Sequence, residues 1–504
     1  MEELLSAEDL TLLDRLRQMQ PWSNPRYSTG DIGNSRLFAD FFMPTMRYVV
    51  ERKAWYIYDG RVWKHDLGSL ITMERCNQLA DLLPTAAMLY ISDRVAQENF
   101  LLRVKAWHSR PLRERILKDA AVVHTQSISD FDADPMLFNC LNCTIDLRTF
   151  TSHPHRPEDM LTMMSGVNYD PSKFCDRWDA FIDEVMQPAT RPMPLQTSLA
   201  DEADDPFAFL PSVLVQKRTY LQQALGYALT GMTNQECMFI LFGATTRNGK
   251  GTMMETILRM MGDYGKTAMP ETIGTRPYQN SSGPREDVAR LSGARFVNIS
   301  EPDKKLTLSA ALVKQLTGSD TITARFLHEN SFEFKPQFKM FVNTNYLPQI
   351  TDLTLFSSGR IKIIPFERHF EPSEQDRSLK AYFAQPDHLS AILNWCLEGL
   401  NMMMVNGFEE PPAIASANES YRRESDKVAQ FVEEMLMPDA NGEMRTTDVY
   451  QLYIRWCELN GYMMENMKNF RKELEKHGTI VRRRPAGAGR QANPLIMLVG
   501  FRAA

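Results

Sequence analysis

Residues 237–252 read CMFILFGATTRNGKGT, and the rest of the chain is organised around them. The apolar run 238–242 is too short for an ordinary helix and has the composition of a buried strand. A turn of glycine and small polar residues follows and ends in Asn248, Gly249 and Lys250, after which residues 253–261 have the pattern of a helix. A strand, a glycine-bearing turn, a lysine and a helix in this order predict a phosphate-binding loop.

Such a loop binds anions because the backbone N–H groups of the turn and the open N-terminus of the helix face one concavity. We expect Lys250 to reach the β- and γ-phosphates of ATP. A glycine-rich turn with a surface lysine is the alternative interpretation. The residues predicted to bind the nucleotide are Gly243, Ala244, Thr245, Thr246, Arg247, Asn248, Gly249, Lys250, Gly251 and Thr252.

The loop departs from the usual pattern at two positions. Five residues separate Gly243 from Gly249, so Ala244 stands where the first glycine is expected. The residue after Lys250 is Gly251, where a Ser or Thr normally holds Mg²⁺. Thr252 follows one place later and is the candidate metal ligand from the loop.

The composition is that of an ordinary globular protein. The chain has 504 residues, of which 43% are hydrophobic and 24% are charged. This length allows about three domains. A net charge of -6 argues against a uniformly basic surface for nucleic acid and leaves room for local basic patches.

Targeting and redox signals favour the cytoplasm of a host cell and argue against a membrane partner. The N-terminus is acidic, unlike a secretory signal, and no apolar run reaches the length of about 20 residues that a membrane span needs. Seven cysteines are spread along the chain, as expected in a reducing compartment. Cys140 and Cys143 have a CxxC spacing, but no second pair completes the set, so we do not expect a zinc site.

Proline-rich and acidic residues at 187–211 indicate a linker between domains. The patterns on either side of it predict an α/β protein in five parts. These parts are an α+β accessory domain (1–186), the linker (187–211), a phosphate-loop ATPase core of the AAA+ type with a parallel sheet (212–370), a helical extension of the core (371–436) and a winged-helix-like tail (437–504).

Aromatic strands on either side of Asp59-Gly60 predict a hairpin in the accessory domain. Aromatic rings beside cations could stack on single-stranded bases. We favour the other interpretation, in which Trp55, Tyr58 and Trp63 are core residues and the charges are solvated. The cations beside these aromatics are Arg47, Lys53, Arg61 and Lys64.

Polar residues lie at the ends of the other predicted strands. The four apolar strands are at 238–242, 294–300, 338–344 and 360–366, and they predict a parallel sheet with one catalytic edge. Glu301 follows the second strand, Asn345 follows the third and Arg360 opens the fourth. An acid at a strand tip can hold Mg²⁺ or activate the attacking water, and an amide can orient the same water. The alternative is that Glu301 and Asn345 only cap strand ends.

The motifs that follow the phosphate-binding loop have a specific order. Residues 298–302 read NISEP, 314–320 read KQLTGSD and 341–348 read FVNTNYLP. In this order they resemble the superfamily 3 helicases, and the chain is most similar to the phage/plasmid primase–helicase family with the poxvirus-type C-terminal region. The further stretches that fit this family are 31–34, 131–135, 146–148, 284–295 and 421–426.

The resemblance implies a hexameric, ATP-driven translocase on single-stranded DNA. Lys250 would bind the phosphates, Glu301 would act with Mg²⁺ and water, and Asn345 would sense the γ-phosphate. Arg360 would reach into a neighbouring subunit's site as an arginine finger, which couples hydrolysis to assembly.

The family also places a DNA-gripping hairpin between the acid and the amide. Residues 321–326 and 332–335 fit its two strands, with a polar turn at 328–331. A purely structural hairpin is the alternative. The candidate DNA contacts are Arg325, His328 and Lys335.

The tail has two helical patterns, at 446–460 and 468–477, followed by strands at 481–484 and 495–499. Two helices and a hairpin suggest a winged helix, which docks a helix in the major groove and a wing on phosphates. We favour DNA contact over a merely solvated basic face. The candidate DNA-binding residues are Lys468, Arg471, Arg482, Arg483 and Arg484, with Lys472, Lys476 and Arg490 beside them.

The sequence therefore predicts a replicative DNA helicase of a phage, plasmid or other mobile element, with ATP and Mg²⁺ as cofactors. Its expected partners are single-stranded and forked DNA, further copies of the chain in a hexamer, and a separate primase or other replication proteins. The residues before the ATPase match the accessory domain, so we expect no primase activity from the chain itself. Two other functions stay open, namely an origin-melting initiator or loader ATPase without processive unwinding, and a DNA-binding scaffold regulated by nucleotide.

Overall fold

The structure is a computed structural model. It describes residues 6–28, 30–188, 209–275, 285–300, 302, 306–325, 327, 331–462, 464–483 and 494–504, with the backbone alone at 209–212. Three predicted site residues, Glu301, His328 and Arg484, lie outside the described residues, as does most of the predicted linker.

The first part of the chain is a layer of helices on a small sheet. Its helices are α1 (Ala7–Met19), α2 (Gly30–Phe42), α3 (Leu70–Tyr90), α4 (Arg94–Val104) and α5 (Arg110–Ala120). Its strands are β1 (Met46–Val49), β2 (Ala54–Tyr58), β3 (Trp63–His65) and β4 (Thr125–Gln126), in the order β3-β2-β1-β4. The predicted hairpin is confirmed as β2 and β3. Trp55 and Trp63 are buried, which agrees with the preferred interpretation of these aromatics as core residues.

A second small sheet and one helix pack against the central part of the molecule. The strands β5 (Leu137–Asn139), β6 (Thr144–Asp146) and β7 (Thr151–His153) form an antiparallel sheet, and α6 (Asp176–Met186) follows it. Phe138 and Trp178 belong to the same hydrophobic core as Phe239 and Trp395. The predicted boundary at residue 186 therefore cuts through a core, because α6 buries its apolar stripe against elements that come after the linker.

The central part alternates helices and strands. Its elements in chain order are α7 (Phe209–Tyr227), β8 (Met238–Phe242), α8 (Lys250–Met261), β9 (Gly265–Ala268), α9 (Glu286–Ala289), β10 (Phe296–Ser300), α10 (Ala310–Thr317), β11 (Ile322–Ala324), β12 (Phe332–Phe334), β13 (Lys339–Thr344), α11 (Thr354–Ser357) and β14 (Ile361–Pro365). All four predicted strands of this part are present, and β9 is an additional strand that the sequence did not indicate.

The central sheet has five parallel strands in the order β14-β8-β13-β10-β9. From β8 the chain runs to the β9 edge and returns through β10 and β13. It then crosses β8 to reach β14 at the other edge. The connections that leave the carboxyl ends of the neighbouring strands β8 and β13 thus run in opposite directions, toward β9 and toward β14, and open α/β sheets bind ligands at such a point.

Two fully buried cations lie at the amino edge of this sheet. The Arg295 guanidinium donates to the carbonyl oxygens of Leu229 and Leu137, each at 2.7 Å. The Lys339 ammonium donates to the Met232 carbonyl oxygen at 3.1 Å and also to the Thr230 carbonyl oxygen. Burial lowers the pKa of both groups. These contacts satisfy carbonyls just after α7, and Arg295 also joins the central part to β5.

The last part of the chain is a helical segment and a small α/β domain. The elements are α12 (Leu379–Phe383), α13 (Pro386–Asn406), α14 (Pro412–Ser425), α15 (Lys427–Met435), β15 (Leu436–Arg445), α16 (Thr446–Asn460), α17 (Met467–Leu474), β16 (Thr479–Arg483) and β17 (Leu495–Ala503). The strands form a sheet in the order β15-β17-β16. Val428 and Phe431 of α15 belong to the core of this tail, so the tail begins with α15 and not at the predicted residue 437. Throughout the described residues, every helix is too short or too polar to cross a membrane.

Candidate functional site

The loop between β8 and α8 lies at the carboxyl edge of the sheet and needs two glycines. Gly249 has a φ of 82°, in the left-handed region that favours glycine, and a Cβ there would stand 2.3 Å from Val185 Cγ1. A Cβ on Gly243 would stand 2.3 Å from Asn248 Nδ2 and 2.5 Å from the Phe366 carbonyl oxygen. The close approach of these groups leaves no room for a side chain at either position.

The N-terminus of α8 is open at this loop. Gly249 is the N-cap and offers no side chain to the first N–H groups of the helix. Residues 244–247 are exposed, whereas Asn248 and Lys250 are buried. Asn248 Nδ2 donates to the Thr245 carbonyl oxygen at 2.7 Å and so holds the loop in its curved form. The uncapped N–H groups and the helix dipole make this end of α8 suitable for an anion.

Lys250 and Asn345 meet across the carboxyl ends of β8 and β13. Lys250 Nζ donates to Asn345 Oδ1 at 3.0 Å. Lys250 is only 3% exposed, and its burial lowers the pKa of the ammonium from 10.5 to about 8. A cation in so little water attracts phosphate strongly, because the charge is already desolvated and held in place.

A segment that the sequence did not indicate packs along the outside of the loop. His369 Nδ1 lies 2.8 Å from the Thr246 carbonyl oxygen, and the Phe370 N–H donates to the Arg247 carbonyl oxygen at 2.9 Å. Arg247 also donates to the Gln375 side chain. These are contacts between the loop and the chain just after β14, so no local motif reveals them.

The predicted metal ligands are only partly described. Thr252 is half-buried in the first turn of α8, and a Cβ on Gly251 would have no atom within 4 Å. The loop therefore has open space where the usual hydroxyl would stand, and the Thr252 hydroxyl lies one residue further along α8. Among the described residues, no group of three or more His, Cys, Asp and Glu side chains is arranged to hold a metal ion.

Arg360 lies at the opposite edge of the sheet from Lys250. The Met238 N–H, at the start of β8, donates to the Arg360 carbonyl oxygen at 2.9 Å, whereas Lys250 comes after the end of β8. The Arg360 guanidinium donates to Thr317 Oγ1 at 2.6 Å and to Glu236 Oε2 at 2.8 Å. Its side chain is 14% exposed. The structure therefore does not bring Arg360 into the same site as Lys250 and Asn345.

The candidate DNA contacts fall into two groups. The predicted hairpin is present as β11 and β12, which pair in antiparallel register, and Lys335 is exposed beside it while Arg325 is half-buried. In the tail, Lys468 and Arg482 are exposed and Arg471 is half-buried. Arg483 is exposed but forms an ion pair with Glu443.

Two family models match parts of the chain. The model described as D5 N terminal like matches residues 35–187. The model described as Poxvirus D5 protein-like matches residues 423–481. The first match covers the accessory domain from within α2 to α6, and the second covers the tail from the end of α14 to β16.

Curated relatives come from large DNA viruses. A protein named a putative helicase from Frog virus 3 (isolate Goorha) is 29% identical over 304 residues, which are 56% of this chain and 29% of that protein. A protein named a putative helicase from Acanthamoeba polyphaga mimivirus is 28% identical over 52% of this chain and 29% of its own length. A protein named a putative primase from African swine fever virus (strain Badajoz 1971 Vero-adapted) is 23% identical over 45% of this chain and 25% of its own length. The chain thus spans less than a third of the length of these relatives.

Among solved structures, the apo A form of the NrS-1 C-terminal region aligns with 92% of this chain and 99% of its own, at 8% identity and a TM-score of 0.46. The chain thus has two D5-type domain matches in this order and relatives named as helicases and primases of large DNA viruses, which support a poxvirus D5-like primase–helicase family.

Proposed function

We propose that the chain is an ATP-dependent DNA helicase of the superfamily 3 type, which unwinds DNA during replication of the genome of a virus or other mobile element. The observation that carries the proposal is the contact of Lys250 with Asn345 beside the open N-terminus of α8. This arrangement lies at the switch point of a parallel sheet and joins a phosphate-binding cation to an amide that can orient water.

The contact between Lys250 and Asn345 suggests how the site responds to ATP. The triphosphate would occupy the concavity of the loop, and Lys250 would exchange its bond to Asn345 for bonds to the phosphates. A hydrogen bond from a charged donor to a phosphate oxygen is stronger than a hydrogen bond from the same donor to a neutral amide oxygen. The exchange would free Asn345 Oδ1 to accept a hydrogen bond from the attacking water. Asn345 would then act only when a nucleotide is present.

Mg²⁺, when bound, would neutralise charge on the β- and γ-phosphates. Thr252 and Glu301 are the residues proposed to hold it. Mg²⁺ keeps several waters and needs few protein ligands when phosphates supply the rest. One hydroxyl from α8 and one carboxylate from the end of β10 therefore suit this ion.

The position of Arg360 favours a ring. A strand of five residues, such as β14, is roughly 17 Å long at about 3.3 Å a residue. Arg360 at the start of this strand is too far from Lys250 to act in the same site. An arginine finger supplied by the next subunit would remove this difficulty and make hydrolysis depend on assembly.

The order of elements in the tail supports DNA binding by a winged helix. It runs α15, β15, α16, α17, β16, β17, and the strands form one sheet. This arrangement has one helix and one strand more than the predicted pattern. Helix α17 and strand β16 both carry exposed cations, Lys468 on the helix and Arg482 on the strand. Such a pair can hold a phosphate backbone beside the major groove.

Two assays test the proposed function and separate the alternatives. Steady-state ATP hydrolysis should rise when single-stranded DNA is added, and a forked duplex should be unwound in the presence of ATP. Hydrolysis without strand displacement would favour an initiator or loader. Nucleotide binding without hydrolysis would favour a DNA-binding scaffold.

Nucleotide binding should weaken as the pH rises through about 8. The free protein loses the Lys250 proton near this pH, because burial lowers the pKa of the ammonium from 10.5 to about 8. Bound phosphates raise that pKa again, so binding takes up a proton above pH 8 and loses affinity there. We expect Kd for a fluorescent, non-hydrolysable ATP analogue to be about tenfold higher at pH 9 than at pH 7.

Lys250→Arg is the control for this titration. A guanidinium stays charged up to a pH of about 12, so the affinity of Lys250→Arg should change little between pH 7 and pH 9. The same pH dependence in both proteins would show that a group other than Lys250 titrates.

The tail should contribute phosphate contacts to duplex binding. Replacing both Lys468 and Arg482 with alanine should weaken duplex binding and flatten the plot of log Kobs against log salt by about 0.9 for each phosphate that is no longer neutralised. Arg94→Ala is the control, since Arg94 is an exposed arginine in α4 of the accessory domain. An unchanged salt slope in the double variant would mean that these cations belong to a solvated face.

A further inference from the structure

One residue of the phosphate-binding loop has a backbone conformation that its side chain does not favour. Arg247 has a φ of 56°, in the left-handed region. A residue with a Cβ is rarely found there, and it stays there only when its surroundings hold it. Gly249, two positions later, is also left-handed but adopts this conformation without strain. Because turns with such residues present successive N–H groups to one concavity, the strained conformation of Arg247 is part of the shape that binds an anion.

The chain after β14 holds Arg247 at two points. We call residues 366–375 the outer segment. The Phe370 N–H donates to the Arg247 carbonyl oxygen at 2.9 Å, and the Arg247 guanidinium donates to Gln375 Oε1. Gln375 Nε2 also donates to the Phe370 carbonyl oxygen at 2.9 Å, so the same side chain fixes the turn of the outer segment. Together these contacts oppose the rotation that would return the φ of Arg247 to a negative value.

A buried cation anchors the start of the outer segment. Lys217 on α7 has a side chain that is 1% exposed, and its Nζ donates to Glu367 Oε2 at 2.9 Å. A buried ammonium is costly without its counterion, so this ion pair persists. Next to it, the Phe366 N–H donates to the Phe242 carbonyl oxygen at 2.6 Å. The outer segment is therefore fixed to α7 and β8 before it reaches the loop.

We propose that the outer segment holds the phosphate-binding loop in its anion-binding form before the nucleotide arrives, with Lys217 as a positioning residue. A protein whose binding-competent conformation is only partly populated binds its ligand more weakly by that fraction. Holding Arg247 in the left-handed region thus raises the affinity for nucleotide without a further contact to it. The inference deepens the proposed function, on which it rests, because it concerns the same nucleotide site.

The test compares alanine with glycine at position 247. Both substitutions remove the guanidinium, but only alanine keeps a Cβ in the left-handed region. The measurement is the Kd for a fluorescent, non-hydrolysable ATP analogue, determined by anisotropy. Arg247→Ala should bind the analogue about tenfold more weakly than Arg247→Gly, because the strain of one such residue corresponds to about this factor. A guanidinium that contacts the nucleotide directly would make the two variants equally weak.

Thr245 provides the matched control. It is exposed in the same loop, and its φ lies outside the left-handed region. Thr245→Ala and Thr245→Gly should therefore differ by no more than about threefold, with the glycine variant the weaker binder, because glycine there only adds freedom to the unbound loop. The order of alanine and glycine should thus be opposite at positions 245 and 247.

A double-mutant cycle tests the positioning role of Lys217. Lys217→Met removes the buried ammonium and keeps an unbranched side chain. It should weaken binding of the analogue by about fivefold in the chain with Arg247, and by less than about twofold in the chain with Arg247→Gly, where the loop has no strain to hold. Lys362→Met is the control. Lys362 on β14 is 17% exposed and also pairs with a carboxylate, that of Glu410, and its loss should change Kd by less than about twofold in either chain.

The outcomes separate this inference from the proposed function. Failure of the wild type to bind the analogue contradicts the proposed function itself. If the wild type binds, equal Kd values for Arg247→Ala and Arg247→Gly overturn the inference, as does tighter binding by the alanine variant. An equal loss from Lys217→Met in both chains overturns it as well, since Lys217 would then support the fold and not the conformation of the loop. The comparison at position 247 does not depend on the folding of Lys217→Met.

Discussion

Lys250→Met should abolish ATP hydrolysis without destabilising the fold. The substitution keeps an unbranched side chain at a position that is 3% exposed, and it removes the ammonium. A fixed charge in a site that excludes water commonly contributes a hundredfold or more to the rate, so hydrolysis should fall by at least about a hundredfold. The measurement is steady-state phosphate release with single-stranded DNA present.

The stability of the same variant tests the electrostatic cost of the buried ammonium. Because burial lowers the pKa of Lys250 from 10.5 to about 8, the charged lysine lowers the free energy of unfolding by roughly 3 kcal/mol at pH 7, which is below both pKa values. Methionine removes that cost. Thermal unfolding without nucleotide should therefore give a Tm equal to or above that of the wild type.

Lys380→Met is the matched control for both measurements. Lys380 also contacts α8, through an ion pair with Glu255 at 2.6 Å, but its side chain is 54% exposed. Its loss should change neither hydrolysis nor Tm appreciably. Wild-type hydrolysis in Lys250→Met would contradict the phosphate-binding role. A large drop in Tm would instead identify Lys250 as a structural residue.

The strands of the central sheet were predictable where they are buried on both faces. Strand β8 is a continuous apolar run, and β10 and β13 each contain an apolar stretch with few polar residues, so all three are visible in the sequence. Strand β9 was not predicted, because it lies at an edge and reads GKTA, with one buried residue in four. Strand β15 was missed for another reason. It contains Pro438 and Gly442, which are typical of turns, and its register shifts between Pro438 and Glu443.

Only the part of the candidate site that depends on local sequence patterns was predictable. Lys250 and Asn345 each follow an apolar strand, and parallel strands bring such residues to one edge. Asn248 was recognised as part of the loop, but its hydrogen bond to Thr245 was not. The contact of His369 with the loop depends on β14 lying beside β8, and the sequence does not reveal that neighbour relation. The pairing of strands that are distant in the sequence thus determines the part of the site that local sequence patterns do not predict.

The role of Arg360 was predicted from the family resemblance, and the structure makes the prediction sharper. Arg360→Ala should assemble and bind ATP but hydrolyse it about a thousandfold or more slowly, as expected for the loss of an arginine finger. In the single chain the guanidinium is bound to Glu236 and Thr317. The finger must therefore exchange at least the exposed bond to Glu236 for a phosphate of the neighbouring subunit.

Glu236→Gln separates this role from a structural one. The Glu236 side chain is 49% exposed. If Arg360 serves only its ion pair with Glu236, Arg360→Ala and Glu236→Gln should slow ATP hydrolysis to the same extent. If Arg360 is a finger, Glu236→Gln should hydrolyse ATP as fast as the wild type or faster, because the guanidinium is released more easily.

Mixing two inactive chains then shows in which subunit the finger acts. The Arg360→Ala chain keeps an intact phosphate-binding site, and the Lys250→Met chain keeps an intact arginine finger. Rings that contain both chains include interfaces where that site meets that finger. Hydrolysis should therefore recover in part when the two proteins are mixed. A finger that acts within its own subunit allows no recovery, because neither chain has both parts. Absence of activity in rings shown to contain both chains would contradict the arrangement between subunits, and Arg360 would then be an anchor that fixes α10 to the start of β14.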